Sequence, residues 1–297
     1  MVKKLSARLG IALLMLLATM FAGNHIAARL AFDHGASVTA AVAVRSGATA
    51  LALVALLRWL RVPIALPRAT LARGLGIGLL VALQSFCLYS AVARIPVALA
   101  LLAFNSYPML YALARRAFEG ERLSALAALA MPLALVGLVL ALGVVGGASR
   151  IEGRWAEIGA GVGYAIAGSL LFAAVLFFTT RHLKEVDGRV RSLLTMGATA
   201  VAVSAVGAAT KTLALPADGL GWLGLALLTL LYGSAITAVF SIVPRLGAAS
   251  NAVALNFEPV AALVLGWFIL GQKVSPLQIF GALVVVGAIT LLGTAKK

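Results

Sequence analysis

A carboxylate, an amide and a proline stand together in the run from Leu255 to Ile289, LNFEPVAALVLGWFILGQKVSPLQIFGALVVVGAI, where nearly every other residue is apolar. A charged side chain near the centre of a bilayer costs about 2.5 kcal/mol or more, and Pro259 removes a backbone donor and opens the helix beside Glu258. Three roles suit Glu258: a structural one, contact with a substrate ammonium, or proton exchange. Arg45 is the second such charge, too deep in its apolar run to be an interface anchor, so it either pairs structurally or lines a polar path. Asn24 either lines a cavity or caps a local kink. His25 is either a helix–helix contact or a ligand or proton carrier, because imidazole titrates near neutrality. Arg29, close to a span end, can snorkel to the interface.

Amide and aromatic side chains recur along the other apolar runs. Asn24, His25, Gln84, Tyr89, Asn105, Tyr107, Tyr111, Tyr164, Tyr232, Asn256 and Glu258 form the expected cavity lining, with Pro108 and Pro259 as helix breaks and Glu258 and Arg45 as candidate coupling or structural charges. Amides can meet both an ammonium and a carboxylate without carrying charge, and aromatic walls accept apolar side chains. That combination suits a zwitterion with an apolar side chain. Broad specificity follows, because an apolar wall discriminates a methylene by only about 1–3 kcal/mol. Trp155 and Trp222, near span ends, read as interface anchors.

Other chemistries lack their residues. DGLGWLG places Gly219, Gly221 and Gly224 in a G-x-G-x-x-G, but no strand precedes it and no acidic ribose partner follows. Signatures for zinc hydrolysis, acyl transfer and nucleotide binding are absent, so neither an enzyme nor a metal or other cofactor is expected.

The elements that must hold these residues are membrane spans. Hydrophobic residues make up 63% of the 297, charged ones 11%, and the mean hydropathy is +1.08, against about 25% charged in soluble domains. The net charge of +15 does not signal nucleic acid, because the basic residues sit in short clusters between apolar runs. The lone Cys87 excludes an intrachain disulfide. Runs of roughly 20 residues suffice to cross hydrocarbon, and ten such runs fall near 9–31, 37–60, 71–93, 97–118, 124–145, 158–180, 191–213, 220–243, 247–269 and 275–294. The N-terminal run continues past any cleavage signal and counts as the first span. Pro132 and Pro244 should kink or end their helices. The pairs Gly159 and Gly163, and Gly143 and Gly147, have the spacing of helix-packing residues.

Sliding the chain on itself by 151 residues lays YSAVARIPVALALLAFNSYP on FSIVPRLGAASNAVALNFEP without gaps. Ser90 meets Ser241, Arg94 meets Arg245, Asn105 meets Asn256, Pro108 meets Pro259 and Gly120 meets Gly271. The chain is therefore expected to be an all-α polytopic membrane protein of ten transmembrane helices in two five-helix repeats. An odd number of spans per repeat inverts the second copy relative to the first. Residues 1–146 form the first repeat, 147–157 an extracytoplasmic connection and 158–297 the second. Most of the 24 basic residues fall on one side if both termini are cytoplasmic, which sets that orientation.

FNSYPMLYALARRAFEGERLSALAALAMPLALVGLVL and LNFEPVAALVLGWFILGQKVSPLQIFGALVVVGAI resemble the two signature halves of the EamA family in the drug/metabolite transporter superfamily. FAGNHIAARLAF followed by VAVRSGATALALVALL resembles that family's first two helices, with Arg45 at its arginine position. Phe21 and Ala22 depart from a common Trp-Gly, and Gln272 replaces the glutamate retained as Glu121. The resemblance implies two inverted repeats around a central cavity lined by spans 1, 3, 4, 6, 8 and 9. It also implies export of amino acids across a bacterial inner membrane. Within the family the chain looks most like exporters of aromatic amino acids, which accept other neutral amino acids and dications such as paraquat. Export of lipophilic cations, drugs or another small metabolite is the alternative. The implied partners are the substrate and the lipid bilayer; one copy holds enough spans for a cavity.

Overall fold

The computed structural model describes residues 7–120, 125–141, 155–242, 257–272 and 275–294. Every regular element among them is an α-helix: α1 (Ala7–Asp33), α2 (Val38–Trp59), α3 (Arg68–Arg94), α4 (Val97–Phe104), α5 (Tyr107–Glu119), α6 (Ala125–Ala141), α7 (Trp155–His182), α8 (Gly188–Ala209), α9 (Gly219–Ile242), α10 (Glu258–Leu270) and α11 (Pro276–Thr294). The 151-residue shift lays α1 on α7, α2 on α8, α3 on α9, α5 on α10 and α6 on α11. Asn256, Pro244, Gly143 and Gly147 lie outside the described residues, as does most of the expected connection; α7 begins at Trp155, within it.

Local chemistry sets the helix ends. Ser37 caps α2 by accepting a hydrogen bond from the Ala40 N–H at 3.1 Å, and Asp187 caps α8 by accepting from the Arg189 N–H at 2.8 Å; each relieves one of the donors that a helix start leaves unpaired. The repeat-mates Gly120 and Gly271 end α5 and α10 with φ of 70° and 61°, a left-handed cap that glycine adopts without strain.

The helices pair across the repeats, α1 with α9, α3 with α7, α2 with α8 and α6 with α11. In α2 and α8, Thr39 lies against Gly207 and Gly47 against Ala200, so these equivalent helices run antiparallel. Gly137 faces Val284 and Val285 while Ala141 faces Gly281, so α6 and α11 do the same. A two-fold rotation that turns one repeat over relates the halves. Side chains of ordinary size would prevent these contacts: a Cβ at Gly281 would stand 2.6 Å from the Gly137 carbonyl oxygen. The G-x-G-x-x-G serves the same purpose, since a Cβ at Gly224 would meet the α1 backbone at Ala27 and Ala31, both at 2.8 Å.

Gly159 and Gly163 do not pack as their spacing suggests, because a Cβ at either would meet nothing within 4 Å. Gly161 and Gly168 instead carry the close approach of α7 to α3, against Ile95 and Leu88.

Among the described residues, seven runs are long and apolar enough to cross a membrane, α4 and α5 counting as one of them. Pro132–Ala141, Glu258–Leu270 and Pro276–Ala288 are shorter apolar helices. Leu51, Trp59, Val201 and Phe268 are each 72–80% exposed on the outer faces, as expected where lipid rather than water is the neighbour.

The fourth expected span is broken. Pro108 cannot donate to the Phe104 carbonyl, and the chain turns at Asn105 and Ser106 before α5 starts at Tyr107. Glu258 stands beside the opening at Pro259, as the first residue of α10. Its mate Tyr107 opens α5 in the same way. A carboxylate at that position meets the positive end of the helix dipole.

Candidate functional site

Arg45, on α2, is 3% exposed and approaches no carboxylate among the described residues. Its Nη1 donates to the Tyr89 hydroxyl at 2.9 Å and its Nη2 to Ser85 Oγ at 3.1 Å, both on α3. The Tyr89 hydroxyl in turn donates a hydrogen bond to Asn24 Oδ1, on α1, at 2.9 Å. The guanidinium carbon lies 3.9 Å from the ring centroid of Tyr232, on α9, and 4.9 Å from that of Tyr89. Two hydroxyls and two ring faces offset part of the desolvation of the cation. Among the described residues no formal negative charge completes the balance.

Beside this network His25 faces Tyr89 with ring centroids 5.4 Å apart, and its Nε2 stands 3.5 Å from Glu258 Oε1. Arg45 and the His25–Glu258 pair thus both adjoin the Tyr89 ring. The Glu258 carboxylate also acts electrostatically on the Tyr107 phenol.

Among the described residues, four buried side-chain atoms here have no partner: Asn24 Nδ2, His25 Nδ1, Arg45 Nε and Ser46 Oγ. Each can carry a proton to donate. Orphaned buried polar groups are costly, and a cluster of donors beside an uncompensated cation is arranged to receive an anion.

Aromatic rings extend the site. Phe21 meets Tyr232 edge-on at 6.2 Å, while Tyr107, Phe104 and Phe172 form a mutual cluster with centroids 4.8–5.6 Å apart. Ser85, Ser46, Phe104 and Phe172 were not foreseen from the sequence as part of a lining. Phe172 had a signal there, for the repeat register places it on Phe21.

Other expected lining residues go elsewhere. Asn105 is buried but turns inward on its own helix end, its Nδ2 donating to the Leu101 carbonyl at 2.8 Å. Tyr164 lies under the Arg94 guanidinium at 4.8 Å and against Phe86, at the end of the α3–α7 pair. Tyr111 lies one turn past Tyr107, towards Arg115. Gln84 is buried on α3 where α7 approaches at Gly168. Arg29 binds Asp33 and donates to the Val92 and Ile95 carbonyls, finishing the end of α3. Gln272 reaches Val97 N–H at 3.3 Å and ties the end of α10 to the start of α4. No group of His, Cys, Asp and Glu among the described residues has the arrangement of a metal site.

The two ends of the bundle differ in charge. Arg58, Arg61, Arg68, Arg73, Arg115, Arg116, Arg181 and Lys184 gather at the end holding the α2–α3 and α7–α8 connections. At that end Arg189 and its N–H hold the Asp187 carboxyl down to about 2. At the other end Asp218 accepts from the Gly221 N–H and from His34, which keep it below the ordinary carboxylate range.

No protein with a curated description matches the chain. A protein known from a crystal structure, one of 20 solved chains that match, is similar over 96% of this chain and 96% of its own, with a TM-score of 0.61 and 22% identity. The two chains share a fold. The model of the EamA-like transporter family matches twice, over residues 8–143 and 159–294. Those two matches take in both antiparallel repeats and every residue of the Arg45–Tyr89–Glu258 cluster, and the chain belongs to the EamA-like transporter family.

Proposed function

We propose that this transporter exports amino acids across a bacterial cytoplasmic membrane, favouring aromatic and other neutral ones, by alternating access. One observation carries the reading: Arg45, a buried guanidinium with no counter-ion among the described residues, and the His25–Glu258 pair both adjoin the Tyr89 ring. A zwitterion places its carboxylate at the first and its ammonium at the second. The Phe21, Tyr232, Tyr107 and Phe172 rings then offer edges and faces to an apolar side chain. The antiparallel repeats supply two related packings for opening on alternate sides. Seven long spans and three shorter apolar helices make up the ten of the proposed topology, with the arginine-rich end and both termini in the cytoplasm.

Dications such as paraquat fit less well, because Arg45 repels them and Glu258 is the one carboxylate in the cluster. Uptake of labelled phenylalanine, threonine and paraquat into liposomes holding the purified chain tests the reading. Transport of both amino acids in excess of paraquat is expected. Transport of paraquat alone overturns it.

A further inference from the structure

We propose that the groove between α5 and α7 is a binding site for an anionic phospholipid, one acyl chain lying along the groove and the phosphate meeting Arg181. The groove encloses about 700 Å³, within the roughly 300–1,000 Å³ of small-molecule sites. Leu110, Leu113 and Ala117 of α5 and Leu170, Ala174 and Phe178 of α7 line it, and the only polar side chains are Arg181 and His182 at one rim. Leu113, Leu170 and Phe178 are 40–52% exposed, so the groove is open along one side.

The repeat symmetry sharpens this. Equivalent positions in the other half lie on α10 and α1, where Ile26, the mate of Phe177, packs against Gly266, and Ala22, Ala261 and Ala262 are buried. That pair is in contact at Ile26 and Gly266, whereas Phe177 lines the groove. The charge follows the groove: Arg181 has Leu30 as its mate, so the guanidinium occurs only in the repeat that holds the groove.

Charge complementarity selects the occupant. Arg116, Arg181 and Lys184 are exposed near the rim, whereas among the described residues Glu119 is held by Arg115 at 2.9 Å, Asp187 is held by Arg189 at 2.8 Å and Glu185 is exposed. Unneutralised cations at the end of an apolar groove match a lipid with a net negative headgroup, since a zwitterionic lipid brings its own ammonium. Each basic residue near a membrane surface favours anionic lipid by roughly fivefold. The assignment does not depend on which small molecule is carried.

The full chain carrying Phe118→Trp, reconstituted in phosphatidylcholine with increasing fractions of brominated phosphatidylglycerol or brominated phosphatidylcholine, tests the site by quenching of the added tryptophan. Fluorescence of the parent protein is subtracted, and Leu113→Trp serves as a second reporter should the first not fold. Phosphatidylglycerol is expected to quench at several-fold lower fraction, and Arg181→Gln to remove that difference while leaving quenching by phosphatidylcholine intact. Equal quenching by both lipids, or a preference that survives Arg181→Gln, overturns the proposal. So does loss of the preference on adding inorganic phosphate, which marks a free-anion site rather than a lipid one.

Discussion

Replacing Arg45 with methionine separates a charge kept for binding from one kept for folding. The substitution removes two hydrogen bonds from a charged donor, at 2.9 and 3.1 Å, worth about 1.5–3 kcal/mol each. It also removes a ring contact at 3.9 Å, worth about 2 kcal/mol when desolvated. Against this loss of about 5–8 kcal/mol stands the desolvation of a buried ion, itself several kcal/mol, together with the orphaned Nε. The two sides nearly cancel, so stability should change little, and a change of about 1 kcal/mol moves Tm by only about 2–4 °C. Binding should respond quite differently. Losing a charge-assisted contact to a substrate carboxylate costs about 1.5–3 kcal/mol, so the affinity for phenylalanine should fall by about 10- to 100-fold. Thermal unfolding in detergent and substrate binding by the same preparation read both quantities. A fall in Tm beyond about 10 °C, with transport lost in proportion to folded protein, would mean that Arg45 is a structural group.

Three further outcomes follow from the geometry. Glu258→Gln keeps the shape of the pair with His25 but cannot titrate, so net transport should lose its response to an imposed pH gradient while exchange of labelled for unlabelled substrate survives; an unchanged response excludes proton exchange at this carboxyl. Asp187→Ala removes the α8 cap and should cost about 1 kcal/mol, measured by denaturant or thermal unfolding. Because folding lowers the Asp187 pKa from 3.8 to about 2, its ionised form favours the folded state; that stabilisation is complete above about 4 and fades as pH falls through about 2, a dependence the variant should lack. Gly281→Val should separate α6 from α11, since even a Cβ at Gly281 stands 2.6 Å from the Gly137 carbonyl oxygen, and it should lower Tm more than Gly287→Val, where a Cβ meets nothing within 4 Å.

Features with a local cause were legible in the sequence. Pro108 announced the break in the fourth span, and the 151-residue register the equivalence of the helices in the two repeats. Long-range geometry was not legible. The sequence gives Arg45 a depth but not its partners, because Tyr89 and Ser85 come from another helix and Tyr232 from the other repeat. Asn105 was grouped with the lining by residue type, yet a break that leaves carbonyls free draws its amide back to Leu101. Spacing named Gly159 and Gly163 for packing, whereas Gly161 and Gly168 meet α3, since helix rotation about its axis depends on the partner.

Competition for binding by phenylalanine, phenethylamine and 3-phenylpropionate, which share a ring and differ in their charged groups, tests the two-charge site most directly. Phenylalanine should bind best in the parent protein, Arg45→Met should weaken phenylalanine and 3-phenylpropionate but not phenethylamine, and Glu258→Gln should do the reverse for the two single-charge compounds. Phenethylamine binding as tightly as phenylalanine to the parent, with Arg45→Met affecting all three equally, would contradict a site built for a zwitterion.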